Sequence, residues 1–307
     1  MTTVEIIEVG ARDGLQNETV LFNTEQKLSL LTRVMDAGIK RLEVASFVHP
    51  KRVPQMADAE AVVKGLPTND DTTYIALTLN ERGLERALDT RAYKNGGINE
   101  IGCVASATDG FGTRNQGQTM AESITVSKNI MHKALAEGLS AQVTISAAFG
   151  CPFEGRVPHS RIIEMALELA EANPREIAIA DTIGVAAPQK VADLFAALKE
   201  KLPHIPLRAH FHNTRNTGLA NAWQAYLSGV TILDSSVAGL GGCPFAPKAT
   251  GNIATEDLLY LLQESDVTTS IDLEKMIDLG RWVERQIDRT PPAMVSQAGG
   301  FPDPITL

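Results

Sequence analysis

The chain has 307 residues, of which 44% are hydrophobic and 21% are charged, and these fractions exclude a mainly disordered protein. Its 28 Lys and Arg against 37 Asp and Glu give a net charge of −9, so we expect no binding to nucleic acid or to an anionic membrane. No apolar run approaches the ~18 residues of a membrane-spanning helix, and the first ten residues do not resemble a signal peptide. The scattered Cys103, Cys151 and Cys243 indicate reduced thiols and predict a cytoplasmic protein.

Short, mostly apolar runs alternate along the chain with longer amphipathic runs. The short runs predict strands at Val4–Val9, Arg41–Ala45, Thr73–Leu77, Glu100–Val104, Gln142–Ala147, Glu176–Ala180, Arg208–His212 and Thr231–Ser235. Continuous apolar character is typical of parallel strands that are covered on both faces. The clearest helical patterns are Thr24–Ala37, Met120–Glu137, Ser160–Ala172, Pro188–Lys201, Asn216–Ser228 and Ser270–Arg289.

Eight strand–helix units predict an α/β protein whose parallel strands close into a (β/α)8 TIM barrel. An open doubly wound sheet is the alternative, but no glycine-rich dinucleotide-binding motif follows the first strand. We expect residues 1–307 to form a single domain. The barrel would span about residues 4–265, and a C-terminal helix and an irregular cap would span about residues 266–307.

A His-x-His motif on the seventh predicted strand is the sharpest local signal of a site. His210 and His212 are two residues apart in a strand, so their side chains point to the same face. Asp13 and Asn252 follow the first and eighth strands and can supply oxygen ligands at the same end of the barrel. Two imidazoles with oxygen donors suit Mg²⁺, Mn²⁺ or Zn²⁺. The alternatives are a pair of hydrogen-bonded core histidines without a metal and a chance His-x-His on an exposed strand.

Three further residues in the predicted barrel mouth suggest catalysis. Arg12 can face a developing oxyanion, with Glu43 holding its guanidinium in a bidentate pair; a plain surface ion pair is the alternative. Cys243 lies in the loop G-L-G-G-C-P, where glycines allow close approach to a ligand. A thiol there can transfer a proton if its pKa is tuned, and a purely structural turn is the alternative.

Several sequence blocks together resemble one enzyme family. These blocks are E-V-G-A-R-D-G-L-Q-N-E, A-S-F-V-H-P-K-R-V-P-Q-M-A-D, G-C-P-F-E-G, D-T-I-G-V and D-S-S-V-A-G-L-G-G-C-P-F-A-P-K-A-T-G-N-I-A-T-E-D-L. They are similar to 3-hydroxy-3-methylglutaryl-CoA lyases, which are metal-dependent TIM-barrel lyases. The similarity runs from about residue 4 to residue 290.

The resemblance implies a role for each matching position. Asp13, His210, His212 and Asn252 match the family's ligands for Mg²⁺ or Mn²⁺, and Arg12 and Cys243 match its catalytic arginine and loop cysteine. Glu43, Asp181 and Glu256 match polar residues that support the metal and the substrate, and homodimers are usual.

The implied reaction is a retro-Claisen cleavage of the acyl-CoA in leucine degradation, giving acetyl-CoA and acetoacetate. Asp13 or His210 would take the hydroxyl proton, Arg12 would stabilise the enolate and Cys243 would protonate its carbon.

Some positions depart from the family pattern. After the seventh strand, family lyases read H-C-H-D-T-Y-G-Q, whereas this chain has Asn213 in place of the acidic residue and Arg215 in place of the aromatic one. His49 and Arg52 replace a usual serine and tryptophan. The altered residues suggest a related substrate, such as citramalyl-CoA or an extended glutaryl-CoA, as the alternative. A Claisen synthase and a non-catalytic metal-binding barrel are further alternatives.

Contacts with the substrate are predicted at two sets of positions. Candidates for the acyl group, besides Arg12, Asp181 and Glu256, are Ser46, Asn115, Asn213 and Arg215. Candidates for the coenzyme A portion are the basic residues Lys51, Arg52, Arg114 and Lys248.

Overall fold

Eight parallel strands close into a barrel in the computed structural model, which describes residues 3–68, 70–242 and 251–302. In chain order the strands are β1 (Glu5–Glu8), β2 (Arg41–Ser46), β3 (Thr73–Leu77), β4 (Glu100–Ser106), β5 (Ser140–Ser146), β6 (Gly150–Cys151), β7 (Gly155–Arg156), β8 (Ile177–Asp181), β9 (Leu207–Phe211) and β10 (Ile232–Ser235). The short β6 and β7 form a separate hairpin after β5, and the other eight form the barrel. The first strand closes it by pairing with both β2 and β10. The prediction of a TIM barrel is confirmed.

Helices surround the barrel between the strands. They are α1 (Thr24–Asp36), α2 (Ala59–Gly65), α3 (Glu81–Asp89), α4 (Asp109–Asn115), α5 (Met120–Ala136), α6 (His159–Ala170), α7 (Pro188–Lys201), α8 (Gly218–Leu227), α9 (Thr255–Gln263), α10 (Leu273–Ile287) and α11 (Val295–Ala298). The predicted strands and the six predicted helices are all present, with ends shifted by at most three residues. Among the described residues, no helix is long and apolar enough to cross a membrane.

Local sequence explains where the best-defined helices begin. Asn23 and Gln26 cap each other's backbone at the start of α1, and Thr119 and Glu122 do the same for α5. Pro188 occupies the first turn of α7, where its missing N–H costs no hydrogen bond. These helices bury apolar faces against the outside of the barrel and so fix the strands whose ends form the mouth.

The inside of the barrel is filled with paired charges rather than with apolar side chains alone. Arg41 and Arg208 are both almost completely buried, and both donate to the buried Glu176 at 3.0 to 3.1 Å. Arg41 also pairs with Glu100. Arg208 donates further to Gln142 at 2.8 Å. Because isolated charges are costly in such an interior, each member depends on the others.

The C-terminal extension is fastened to the barrel by polar contacts. The backbone N–H of Asp272, just before α10, donates to the carbonyl of Ala37 at 2.8 Å. Gln26 of α1 donates to Gln286 of α10 at 2.9 Å. Beyond α10, Arg289 donates to both carboxylate oxygens of Glu18 at 2.7 and 2.9 Å. The tail expected to be irregular contains the short helix α11, and residues 303–307 lie outside the described residues.

We predict that the substitution Glu176→Gln destabilises the fold by about 3–5 kcal/mol, because it removes the charge that both buried arginines share. Urea unfolding followed by circular dichroism measures the loss. The control is Glu81→Gln, which removes an exposed partner of Lys133 and should leave the unfolding midpoint close to that of the wild type. Equal effects of the two substitutions would contradict a special role for the internal charges.

Candidate metal centre

Three side chains that can ligate a metal converge at the carboxyl ends of the barrel strands. One ligand atom each of Asp13, His210 and His212 lies within 4.8 Å of the others. His210 is on β9 and His212 directly follows it. Asp13 lies in a π-helical turn at Gly10–Gly14, in which three successive N–H groups, from Arg12 to Gly14, donate to the carbonyl of Val9. This turn directs Asp13 towards the two imidazoles, so that His212 Nε2 lies 4.0 Å from Asp13 Oδ2.

Asn252 reaches the same place from the last loop. Its backbone runs antiparallel to His212, since Ile253 N–H donates to Phe211 at 3.1 Å and Asn213 N–H donates to Gly251 at 3.0 Å. A Cβ atom on Gly251 would lie 2.5 to 2.6 Å from two backbone carbonyl oxygens, so this close approach requires glycine. The Asn252 amide donates to Asp13 Oδ2 at 2.9 Å. The loop thus places an amide beside the carboxylate, as the sequence predicts.

The donors fit a divalent cation. Asn252 Oδ1 is buried and has no hydrogen-bond partner among the described residues, and the same holds for His212 Nδ1. Burial lowers the pKa of His212 to about 4, and the nearby His210 contributes a smaller effect in the same direction. The His212 imidazole is therefore neutral at pH 7, as a metal ligand must be. Burial would raise the pKa of Asp13, but Arg12 and the two imidazoles hold it well below its usual range. An ionised carboxylate, neutral imidazole and an unpaired amide oxygen can therefore surround one ion.

Asp234 supports one of the two histidines, and sequence reasoning missed it. It lies on β10, its side chain is 4% exposed, and its Oδ2 is 3.1 Å from His210 Nδ1. Burial lowers the pKa of His210, but the hydrogen bond and the charge of Asp234 outweigh that effect and raise it. The buried Arg208 lies on the other side of this carboxylate, with its Nε 3.4 Å from Asp234 Oδ1. The signal available in the sequence is an ionisable residue inside an otherwise apolar strand.

Arg12 is held beside the candidate metal ligands by two carboxylates. Its Nε donates to Glu43 Oε2 at 2.6 Å, its Nη2 pairs with the same carboxylate, and its Nη1 donates to Asp13 Oδ1 at 2.7 Å. Burial would lower the pKa of Arg12, but Glu43 and Asp13 raise it above its ordinary value. Each terminal nitrogen carries a second N–H that these contacts do not use. The guanidinium is thus a fixed cation with donors left for another group.

Three of the residues predicted to contact substrate form hydrogen bonds to the backbone of neighbouring loops. Asp181 accepts from the N–H groups of Val185 and Ala186, both at 2.9 Å, and burial raises its pKa. Asn213 accepts from the N–H of Gly218 at 3.0 Å, at the start of α8. The guanidinium of Arg215 donates to the carbonyls of Ile183 and Gly184 at 3.1 and 2.8 Å. These contacts shape the loops after β8 and β9.

The remaining candidates stay predictions, and the structure gives the surroundings of those that lie within the described residues. Ser46 is completely buried, and its Oγ has no partner within the described ranges. Asn115 is the exposed last residue of α4. Among the coenzyme A candidates, Lys51 and Arg52 are exposed, and Arg114 stacks on the ring of Phe153 at 4.2 Å. Cys243 and Lys248 lie outside the described residues.

Glu256 contacts the backbone that follows β10 and the C-terminal helix α11. Its carboxylate accepts from the N–H of Ala238 at 3.0 Å and from Ser296 of α11 at 2.8 Å. It is fully buried against Gly280 of α10, where an added Cβ atom would lie 2.2 Å from Glu256 Oε1. Burial raises the pKa of Glu256 to about 8, and the pKa of the nearby Glu8 to about 7. Glu256 therefore supports the loop backbone at Ala238.

A family model described as HMGL-like matches residues 3–283 of the chain. The chain belongs to the HMGL-like family. It is 39% identical to hydroxymethylglutaryl-CoA lyase YngG of Bacillus subtilis, over 94% of this chain and 95% of that protein. It is 38% identical to (R)-citramalyl-CoA lyase of Chloroflexus aurantiacus, over 100% of this chain and 98% of that one.

Solved structures agree with the assignment to the HMGL-like family. An HMG-CoA lyase of Acinetobacter baumannii, in complex with coenzyme A and 3-methylmalate, superposes with a TM-score of 0.92. It is 33% identical and covers 99% of this chain and 98% of its own. The predicted resemblance to hydroxymethylglutaryl-CoA lyases, and with it a carbon–carbon lyase, is confirmed at the level of the family.

We predict that Glu256 makes the stability of this family member decrease as the pH rises. Because the pKa of Glu256 is about 8 in the folded chain, well above its ordinary value of 4.5, its contribution is complete below about pH 4.5 and is lost as the pH rises through 8. Each such group contributes at most about 1.4 kcal/mol per pH unit. The substitution Glu256→Gln should therefore flatten the plot of unfolding free energy against pH between about pH 5 and 8.

Urea unfolding at several pH values provides the measurement. The exposed Glu264, next to the end of the same helix, gives the control substitution Glu264→Gln, which should leave the slope unchanged. Parallel curves for the wild type and Glu256→Gln would contradict the buried, protonated state of Glu256.

Proposed function

We propose that the protein is a metal-dependent retro-Claisen lyase that cleaves 3-hydroxy-3-methylglutaryl-CoA to acetyl-CoA and acetoacetate. The observation that carries this proposal is the convergence of Asp13, His210 and His212 beside the fixed cation Arg12, in a chain of the HMGL-like family. Its relatives named hydroxymethylglutaryl-CoA lyases, and the neighbouring structure in complex with coenzyme A, support an acyl-CoA substrate.

Asp13, His210, His212 and Asn252 would hold Mg²⁺ or Mn²⁺, with Zn²⁺ as a substitute ion. When bound, the ion supplies Lewis-acid polarisation of the substrate's C3 hydroxyl and its distal carboxylate. Arg12 would place its unused N–H groups on the thioester oxygen, where negative charge develops as the C2–C3 bond breaks. Glu43 would keep the guanidinium in this orientation, since two of its nitrogens already contact Glu43.

Proton movement completes the proposed reaction. The C3 hydroxyl loses a proton, the C2–C3 bond breaks to give a ketone and a thioester enolate, and the enolate carbon gains a proton. Asp13 and His210 are the candidate bases. His210 Nδ1 is already bonded to Asp234, so an imidazole that also ligates through Nε2 has no nitrogen left. Asp13 keeps free lone pairs, but its lowered pKa makes it a weak base, so both residues stay candidates. Cys243 is proposed as the donor to carbon.

A second candidate is cleavage of citramalyl-CoA by the same chemistry. The relative named (R)-citramalyl-CoA lyase matches this chain over its full length at 38% identity, almost the same identity as YngG. Asn213 and Arg215, which replace the acidic and aromatic residues of the family pattern, order the backbone of two mouth loops. Asn213 and Arg215 would therefore change which acyl group the site accepts in one of two ways. They would alter the shape of these loops, or they would contact the substrate directly.

Some finer features also remain proposals. Residues 1–307 would act as one lyase domain and as a homodimer in the cytoplasm, within leucine degradation. The coenzyme A portion would meet basic residues at the mouth, among them Lys51, Arg52, Arg114 and Lys248.

Cleavage of a small acyl-CoA panel tests the proposed function. We expect acetyl-CoA release from 3-hydroxy-3-methylglutaryl-CoA with Mg²⁺ or Mn²⁺, and loss of turnover with a chelator. The panel also contains both citramalyl-CoA enantiomers and a longer 3-substituted glutaryl-CoA. Turnover of a citramalyl-CoA alone would establish the second candidate. No release from any member, with metal shown to be bound, would refute the lyase proposal.

The substitution Arg12→Lys should lower kcat by about 10²–10³-fold with little change in KM. Lysine keeps the positive charge but lacks the planar fork that contacts Glu43 and Asp13 while presenting further N–H groups. Steady-state kinetics on the preferred substrate measures the effect. The exposed Arg285 of α10 gives a matched control, Arg285→Lys, which should retain wild-type kinetics. A fall in substrate affinity alone would argue for ordinary binding instead.

A further inference from the structure

His210 and His212 sit in unlike surroundings although they share one strand end. His210 Nδ1 lies 3.1 Å from Asp234 Oδ2, whereas His212 Nδ1 has no hydrogen-bond partner among the described residues. Only His210 therefore has a carboxylate that can select its tautomer. Since a carboxylate accepts and does not donate, the neutral ring must carry its proton on Nδ1, which leaves the lone pair on Nε2.

The carboxylate of Asp234 has two contacts among the described residues, with His210 and with Arg208. Its one hydrogen bond there is to His210, because its Oδ1 lacks a hydrogen bond although Arg208 Nε lies 3.4 Å away. A residue serving only to balance Arg208 would be expected to place a well-aligned oxygen on the guanidinium. The Asp234 carboxylate instead forms its hydrogen bond with the imidazole of His210.

Arg208 in turn is fixed from the opposite side. Its guanidinium is completely buried and donates to Glu176 at 3.1 Å, to Gln142 at 2.8 Å and to Thr144 at 3.1 Å. Asp234 therefore lies beside a buried cation whose own position is fixed. A continuous series of contacts thus links Glu176, Arg208 and Asp234 to the ring of His210.

We propose that Asp234 is a positioning residue that holds His210 in its Nδ1-protonated form and orients Nε2 towards Asp13 and His212, with Arg208 anchoring Asp234. This inference rests on the proposed function in one respect, namely that the site binds a divalent ion. Its geometry is independent of the acyl-CoA. A carboxylate behind a ligating imidazole fixes the ring and increases its basicity, and loss of such a partner typically weakens metal binding 10–100-fold.

The first test uses the unaltered protein. Nitrogen-15 NMR of histidine-labelled, metal-free protein at alkaline pH distinguishes the two neutral tautomers, and the His210 signals are assigned by their loss in His210→Gln. We expect His210 as the Nδ1–H tautomer. Finding the Nε2–H tautomer would overturn the proposal without any variant of Asp234 having to fold.

The second test uses Asp234→Asn with Mn²⁺ binding followed by electron paramagnetic resonance. We expect affinity to fall 10–100-fold and the His210 tautomer signals to change, because an amide can donate to Nδ1 as well as accept from it. The matched control is Asp257→Asn, another buried aspartate, whose carboxylate accepts, within the described ranges, only from the backbone N–H groups of Met294 and Val295. Even if Asp257→Asn lowers the stability of the fold, we expect its Mn²⁺ affinity and the His210 tautomer to remain those of the wild type.

The outcomes separate this proposal from the lyase function. If no acyl-CoA is cleaved but Asp234→Asn alone weakens Mn²⁺ binding and alters the tautomer, the positioning role stands and the lyase assignment falls. If the wild type cleaves its substrate while Asp234→Asn keeps wild-type Mn²⁺ affinity and tautomer, the positioning role is overturned and the lyase assignment stands. Equal losses of affinity in Asp234→Asn and Asp257→Asn would also overturn it, since a general loss of structure would then suffice.

Discussion

Charge neutralisation inside the barrel is the constraint on which the site depends. Arg41 and Arg208 are buried where water cannot solvate them, so their partners have to lie at fixed distances on neighbouring strands. Glu176 connects the two arginines, and Arg208 faces Asp234. Strand register therefore determines the pairing of buried charges as well as packing, because a displaced strand would leave a buried charge unpaired.

Barrel closure brings together ligands that are far apart in the chain. Asp13 comes from the turn after β1, His210 and His212 from β9, and Asn252 from the segment that pairs with His212. Since β1 pairs directly with β10, the first and last loops meet at one edge of the mouth. The hydrogen bond between Asn252 and Asp13 crosses this meeting point at 2.9 Å. One contact thus joins the two ends of the barrel sequence at the site itself.

The barrel and the convergence of the candidate metal ligands could be predicted from the sequence, but the surroundings of the site could not. Buried parallel strands leave continuous apolar runs, and a His-x-His motif at the end of one of them directs two imidazoles to the same face. Short helices such as α2 and α4 have too few turns to show a clear period. Asp234 was missed because sequence alone does not reveal which ionisable strand residue meets which imidazole. Glu256 matched a family position, yet its carboxylate serves loop backbone and α11.

The C-terminal extension spans the seam where the barrel closes. Arg289 binds Glu18 in the segment after the first strand, while Ser296 and Gly280 surround the carboxylate that supports Ala238 after the last strand. The extension therefore acts as a clasp over the two segments that supply Asp13 and Asn252. Trimming the chain back to its eight strand–helix units would open this clasp. For protein engineering, the shortest chain that keeps this site intact consequently includes α10 and α11 as well as the barrel.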